Sequence, residues 1–523
     1  LSDFTDAKTE TLAVDAHVIE AVERGVEGLN AKYKRSADRG PFLIFHRARK
    51  WNPTEGVWMG WERKRGKLAE FNRFLRGGSS SAFPTIAGDP SLLADIRYVI
   101  TLDSDTVLPR GAAAKLVGTM AHPLNRARYN ETLGRVTEGY GILQPRVGVA
   151  LTSAYRSKFA AVHSGHPGVD PYTTAVSDVY QDLYDEGSFT GKGIYDVNAF
   201  EEATHGRFPE NTLLSHDLIE GTYVRAGLTT DIELYDDYPT RYLAYTRRKH
   251  RWIRGDWQIL KWLGATVPGP DGPEPNRLST LSRWKIFDNL RRSVVEISLI
   301  LLLVGGWFVL PGAPLLWTVV VLLLVAFPWL FAIILELIQP PTDQSLQAYY
   351  GAVMRDFVGS AEQFGLAIAF LPHQAWVSAD AIVRTLIRLY ITRRHMLEWQ
   401  TASQVERAMR RGGDREVYRR MWPAVAIGAF AAAGAIFEVY SGDAGLGVNS
   451  LALIATIPLA CLWIVSPSIA AAMSAPAIPG EIKLAEAERA RAERYARLHW
   501  EFFNHFVTEQ TNWLAPDNVQ EEP

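Results

Sequence analysis

Past residue 290 the chain carries four long apolar stretches, and these restrict its fold more than any other feature. They cover residues 294–310, 315–338, 422–440 and 451–473. Each is near the ~20 residues a helix needs to cross a ~30 Å hydrocarbon core, so a helical membrane bundle is expected. Pro328 interrupts the second stretch, which a bundle tolerates because neighbouring groups satisfy the freed carbonyl. Between the second and third lies a connection, 339–421, rich in arginine (Arg384, Arg388, Arg393, Arg394, Arg419 and Arg420 among others). The short turns near 311–314 and 441–449 contain no Lys or Arg. By the positive-inside rule the basic connection is cytoplasmic and the turns lie outside. An even number of crossings then returns both ends of the chain to the cytoplasm. Residues 381–390 and 278–292 set apolar positions against arginines at helical spacing. That is the pattern of a helix in the membrane interface; the lesser alternative is a helix packed on protein neighbours.

The first 270 residues are of another kind. Periodicity predicts helices over 12–33 and 64–75, and strands over 41–46 and 96–102. Helices interleaved with short apolar strands predict an α/β layered sheet, with ligands at the carboxyl ends of the strands. A Pro/Gly-rich run at 268–275 marks the boundary. The expected domains are therefore 1–270, 271–475 and 476–523. A net charge of −2 leaves no basic excess for neutralising phosphates, so no nucleic-acid partner is expected. The single cysteine, Cys461, excludes disulfides and cysteine-rich metal sites. The chain opens at Leu1 with no methionine, within a strand-like Leu1-Ser2-Asp3, and reads as a fragment of something longer.

Chemistry enters at the end of the strand over 98–102, where Asp103 and Asp105 follow. Residues i and i+2 of extended chain share a face, so both carboxylates can reach one point. A hard cation such as Mg²⁺ or Mn²⁺, bridging to phosphate oxygens, needs that arrangement. Asp217, at a predicted helix start, is a candidate general base; it is also suited to capping that helix, as is Ser215. Arg248 and Arg251 offer planar forks for a diphosphate, and the same cluster reads as a membrane-surface patch. Trp252 offers an apolar face for a sugar ring, or, with Trp257, an interfacial anchor. A lone D-x-D is often a plain loop. What favours chemistry is the joint occurrence of these features, in this order, ahead of a membrane region. Transfer of a sugar from a nucleoside diphosphate needs a neutralised leaving group, a deprotonated acceptor hydroxyl and excluded water.

In that order the motifs resemble those of the processive, membrane-integrated inverting glycosyltransferases with a GT-A (Rossmann-like nucleotide-sugar) fold. Four longer strings make the chain similar, more closely, to the glycosyltransferase region of bacterial cyclic β-1,2-glucan synthases. They are Phe45-His-Arg-Ala-Arg-Lys-Trp-Asn52, Gly60-Trp-Glu-Arg-Lys-Arg-Gly-Lys-Leu68, Leu214-Ser-His-Asp-Leu-Ile-Glu-Gly221 and Trp513-Leu-Ala-Pro-Asp-Asn518. The resemblance implies a bacterial inner-membrane enzyme with UDP-glucose and a growing glucan as partners. It implies that Asp3 meets the uridine end and Lys64 the donor side, while Asp103 and Asp105 hold the metal with the diphosphate. It further implies that Asp217 deprotonates the acceptor's 2-hydroxyl and that Arg248, Arg251 and Trp252 close over donor and acceptor. Gly191-Lys192-Gly193 matches the acceptor-side loop. Tyr33, Tyr98 and Tyr195 are the hydroxyl-bearing residues weighed as points of primer attachment.

The chain also departs from the pattern. Ser215-His216-Asp217 stands where cellulose-synthase-like members have Thr-Glu-Asp, and Arg248 replaces the commoner glutamine. Both variants fit the osmoregulated periplasmic glucan glucosyltransferases, the nearest alternative. The strand expected before Leu1 is absent from this sequence, and the resemblance implies membrane spans before it and carbohydrate-active domains after residue 523. A non-catalytic membrane scaffold or transport component that kept the fold is the alternative of another class.

Overall fold

The computed structural model describes residues 1–33, 40–164, 178–338, 345–399, 402–441, 446–477 and 485–516. The expected turn at 441–449 and the end of the tail string at 517–518 fall largely outside them. Two compact units form, Leu1–Pro476 and Ala477–Pro523. In the second, helix α12 (Glu486–Phe506) buries none of its residues.

The first unit opens with a small sheet. Strand β1 (Ser2–Asp3) pairs parallel with β2 (Ile44–Arg47), which pairs antiparallel with β3 (Thr85–Ala87). Helices α1 (Asp15–Lys32) and α2 (Arg63–Leu75) form where periodicity predicts them. The main sheet has five strands. In spatial order they are β4 (Tyr98–Thr101), β7 (Gly193–Asp196), β6 (Ile142–Val149), β8 (Ala226–Asp236) and β5 (Thr106–Val107). Only the β6–β8 pair is parallel; the other three are antiparallel. Helix α3 (Ala112–Ala121) covers one region of this sheet, setting Leu116 and Met120 against Leu143, Ile194 and Ile232.

Helices α4 (Asp217–Val224), α5 (Tyr242–Gln258) and α6 (Thr280–Ser293) follow. The Pro/Gly run at 268–275 is not a linker: it lies in a hairpin of β9 (Thr266–Gly269) and β10 (Gly272–Pro275). Nor does α6 present its apolar side to a membrane. Ile286 and Leu290 pack with Ile219, Tyr223 and Trp262 in the main core of this half. Burying a side chain of that size contributes about 2 kcal/mol, enough to fix which way the helix faces. Trp284 and Phe287 remain on its exposed side. The α/β half therefore runs on past 270 to the end of α6.

Among the described residues four helices are long and apolar enough to cross a membrane: Pro314–Ile338, Tyr349–Thr392, Gly413–Tyr440 and Leu451–Met473. Two differences from the sequence expectation follow. Helix α7 (Val295–Phe308) has 14 residues, about 21 Å of rise, so a crossing there needs the flanking apolar residues as well. And 339–421 is no loop: α9 (Leu346–Ile387) runs through it, and α10 (Ala402–Ser441) starts within it and breaks at Gly413. Charge density hid these helices. Their arginines pair with acids one turn away, as in Arg384–Asp380, Arg419–Glu416 and Arg420–Glu416, so they ride on helix surfaces.

Helix α8 (Pro314–Ile338) exposes Leu323, Phe327, Phe331, Ile334 and Leu335, the outward apolar surface of a lipid-facing helix. Helices α10 and α11 (Leu446–Met473) approach through small residues: a Cβ on Gly428 would lie 2.8 Å from the Ala460 carbonyl oxygen. Trp307 of α7 meets Trp463 of α11 with ring centroids 5.8 Å apart. The bundle is seated on the α/β half. Val417, Met421, Ala470 and Met473 pack on Phe159, Tyr242 and Leu243, and Tyr242 N donates to Ser474 Oγ at 3.0 Å.

Helix α9 follows that seat. Gln363 Nε2 donates to the Val162 carbonyl at 2.8 Å, and Phe370 stacks on Tyr242. His373 Nδ1 lies 2.8 Å from Tyr242 Oη, and Asp380 Oδ2 lies 2.8 Å from His250 Nε2. Ala381 and Ile382 pack on Ile253. Contact with the α/β half thus persists from 363 to 382, about 28 Å of helix.

Candidate active site

Strand register assembles the site. Antiparallel pairing sets Thr101 of β4 opposite Gly193 of β7, so Asp103, just past one strand, faces Lys192, just before the other. On the far side Asp236 of β8 pairs with Thr106 of β5. Lys192 Nζ is 2.5 Å from Asp236 Oδ2 and 3.4 Å from Asp103 Oδ2. Thr106 Oγ1 donates to Asp236 Oδ1 at 2.6 Å.

Lys64 enters from α2, donating to Asp103 Oδ1 at 2.6 Å and to the Gly191 carbonyl at 2.8 Å. The two residues before it, Glu62 and Arg63, hold φ of +51° and +55°, a region that side-chain-bearing residues rarely occupy. Their own contacts maintain it: Glu62 Oε1 accepts from Asn211 N at 2.5 Å, and Arg63 forks onto Asp6 at 2.5 and 2.7 Å. Strain held this firmly beside a charged cleft is usual at functional sites.

Asp217 opens α4, as the sequence predicts. The loop before it is fixed on α5: Leu214 N donates to Gln258 Oε1 at 2.7 Å, and Ser215 lies against Gly255 so closely that a Cβ there would be 2.3 Å away. Gly191 crosses over the carboxylate. At φ +89° it favours glycine, and a methyl there would stand 2.6 Å from Asp217 Oδ1. That oxygen is buried with no hydrogen-bond partner.

Helix α5 brings the guanidinium groups. Arg248 stacks over Trp252 at 4.7 Å, and Arg251 lies 5.8 Å from the Trp399 ring centroid. Trp252 itself is exposed. Burial, and then neighbouring Arg248, lower Arg251 to about 10, while Asp103 and Asp105 act in the opposite direction. Arg251 therefore feels the D-x-D carboxylates.

The acids differ in state. Burial opposes charge on Asp103, but Lys64 and Lys192 outweigh it and hold the carboxyl below its ordinary value. Asp105 is raised, first by burial and then by the Asp236 carboxylate. Lys64 and Lys192 lie on Asp103, and Lys192 also on Asp236, while the raised Asp105 marks where positive charge is short.

Lys192, matched to the acceptor side, has its ammonium between Asp236 and Asp103. Asp3 lies in the small sheet, gripped by Arg47 at 2.6 and 3.1 Å, with Lys67 at 3.3 Å. Lys64 and Lys67, one turn apart on α2, thus link Asp103 and Asp3. Tyr195 is 1% exposed and donates to Asn72 Oδ1 at 2.8 Å. Sequence reasoning missed Asp236, although the alternating run 229–236 ends in Asp236-Asp237, the same strand-end signal that marks Asp103.

An α/β half that gathers acidic and basic side chains at its strand ends, seated on apolar helices fit to cross a bilayer, has the architecture of a membrane protein. No protein-family model matches the chain. Over its whole length it is 41% identical, across 527 residues, to the cyclic beta-(1,2)-glucan synthase NdvB of Rhizobium meliloti (strain 1021). It spans 18% of that relative's length. The resemblance to a region of a cyclic β-glucan synthase, first seen in four short strings, therefore extends over the entire chain.

Proposed function

We propose that this chain is the polymerising region of a cyclic β-1,2-glucan synthase, a membrane-bound inverting glucosyltransferase of GT-A type that uses UDP-glucose. The observation that carries the reading is Asp217 Oδ1, buried and unpartnered beside the Lys64–Asp103 pair. A proton acceptor there needs a free lone pair near the leaving group.

In this reading Asp217 takes the proton of the acceptor's 2-hydroxyl. The oxygen attacks the anomeric carbon from the face opposite the phosphate, and one displacement inverts the centre. Lys64, Arg248 and Arg251 bind the diphosphate oxygens and balance the charge of departing UDP. Lys192 orients Asp103 from its bridge to Asp236. Mg²⁺ or Mn²⁺, held by Asp103 and Asp105, would supply further neutralisation of the leaving group. Asp3 stands on the uridine side, and exposed Trp252 offers a stacking face to the acceptor. The α/β half faces the cytoplasm of a bacterial inner membrane. Helix α9 lies at the membrane surface where it contacts the α/β half, about 28 Å of its roughly 63 Å length.

The test is UDP release from UDP-glucose by the full-length protein in membranes, with linkage analysis of the product. Asp217→Asn should lower turnover by about 10³-fold, within the range for losing a general base, while UDP still binds. A wild-type protein that releases no UDP in the presence of divalent cation, or a product without 1,2-linkages, would overturn the reading.

A further inference from the structure

A second ionisable pair stands beside Asp217 and has no part in the mechanism above. His216 and Glu220, one turn apart at the start of α4, are 5% and 2% exposed. Nδ1 of His216 lies 2.7 Å from Glu220 Oε2 and 3.8 Å from Asp217 Oδ1. None of the three atoms has another partner. Grouped this closely they resemble ligands of one metal ion. The distances argue otherwise. Two ligands on a tetrahedral zinc at 2.0–2.1 Å stand about 3.3 Å apart, whereas the 2.7 Å between Nδ1 and Oε2 is the approach of an ion pair made without hydrogen-bond alignment.

We propose that His216 and Glu220 form a buried charge pair that orients Asp217 and sets a positive charge beside it before the acceptor arrives. Glu220 holds the imidazole as imidazolium, and the imidazolium faces the carboxylate that must receive the proton. Both are positioning residues. The inference rests on the role given to Asp217 above and explains why this chain has Ser-His-Asp at the triplet. The electrostatics agree: burial opposes a charged His216, but the carboxylates of Glu220 and then Asp217 outweigh it, and the imidazole is raised. Two other groups face the pair. Lys64 on α2 opposes the imidazolium, its own value raised by Asp103, Asp217 and Glu220 against burial. Tyr195 on β7 is kept neutral by burial.

The sign of the effect follows. Without the imidazolium, two carboxylates confront each other with only Lys64 to balance them, so the acidic limb of the rate profile moves to higher pH. Without Glu220 the imidazole loses its main support and becomes neutral, but Asp217 also loses a repelling neighbour. The limb then moves less.

The experiment measures kcat/KM for UDP release between pH 5 and 9, using detergent-solubilised full-length wild type, His216→Gln and Glu220→Gln, with UDP affinity as the check on folding. His216→Gln should shift the acidic limb upward by about one pH unit or more, with activity at least roughly tenfold down near pH 6 and recovering by pH 9. Glu220→Gln should show a smaller shift of the same sign. An unmoved limb in either variant that binds UDP normally, or a loss equal at every pH, overturns the proposal. So does a stoichiometric metal present in wild type and missing from His216→Gln. If His216→Gln does not accumulate, the nearly isosteric Glu220→Gln decides alone. Wild type that fails to release UDP defeats the assignment of the reaction; wild type that turns over, with unmoved variants, defeats this inference only.

Discussion

Among single residues, Asp3 shows how a carboxylate can be structural in the ligand-free protein whatever it later binds. Burial works against its charge, but Arg47 and then Lys67 outweigh it, and the carboxyl sits below its ordinary value. Arg47 is 2% exposed and also bonds Glu70 at 2.7 Å. Removing one partner of such a group leaves charge buried and uncompensated. Asp3→Asn should therefore cost about 3 kcal/mol at pH 7, the low end for a broken buried pair because Glu70 remains. A depressed carboxyl contributes its stability in full above the unfolded value near 4 and loses it as pH falls through the folded one. The gap between wild type and variant in thermal unfolding should thus be flat from pH 7 to about 5 and close below about 4. An equal gap at pH 3 would contradict the pairing. Asp103, Asp105 and Asp217 were legible in the sequence because strand-end and helix-start acids announce themselves locally. The true neighbours of Lys192 were not, because they depend on pairing between strands more than 90 residues apart in the chain.

At the level of elements, α5 is the piece on which site and bundle meet. Arg248, Arg251 and Trp252 belong to the cleft. Lys249 and His250, between them in sequence, turn the other way: Lys249 Nζ reaches Glu296 Oε1 at 2.5 Å and Gln374 Oε1 at 2.9 Å, and His250 reaches Asp380 at 2.8 Å. Helical geometry puts consecutive residues about 100° apart, so one short run serves two surfaces. The sequence showed a basic cluster and allowed both a diphosphate site and a membrane-side patch; the structure divides the cluster between cleft and bundle. Lys249→Met should loosen the setting of the helix without touching the cleft. We expect KM for UDP-glucose to rise roughly tenfold, with kcat changing less, as for a misplaced binding group. An unchanged KM would mean that the pair to Glu296 does not position the arginines.

For the molecule as a whole, the apolar runs and the helices part at two places. The helix at 295–308 has 14 residues while the apolar run extends beyond it on both sides, through Val294 and into the turn, and that run has to cross for α9 to return to the side of the α/β half. A long apolar helix at 346–387 was missed because arginines broke the hydropathy. Cys461 is the sole cysteine, so Cys461→Ser supplies a background for labelling with a membrane-impermeant maleimide. Cysteines placed at Arg355 and Arg393, toward the two ends of α9, should label from the same side as one at Lys32 in the α/β half. One at Tyr440, 85% exposed at the far end of α10, should label from the other side. Opposite sides for 355 and 393 would make α9 a true crossing.

Gly191 has a consequence that reaches across the cleft. Its carbonyl is grasped by Lys64, and its α-carbon walls one oxygen of Asp217. Any phosphate that draws the ammonium toward itself slackens a single amide plane, and that plane is the ceiling over the proton's destination. News of a loaded donor would then travel to the base through one peptide unit, with no helix or domain required to move.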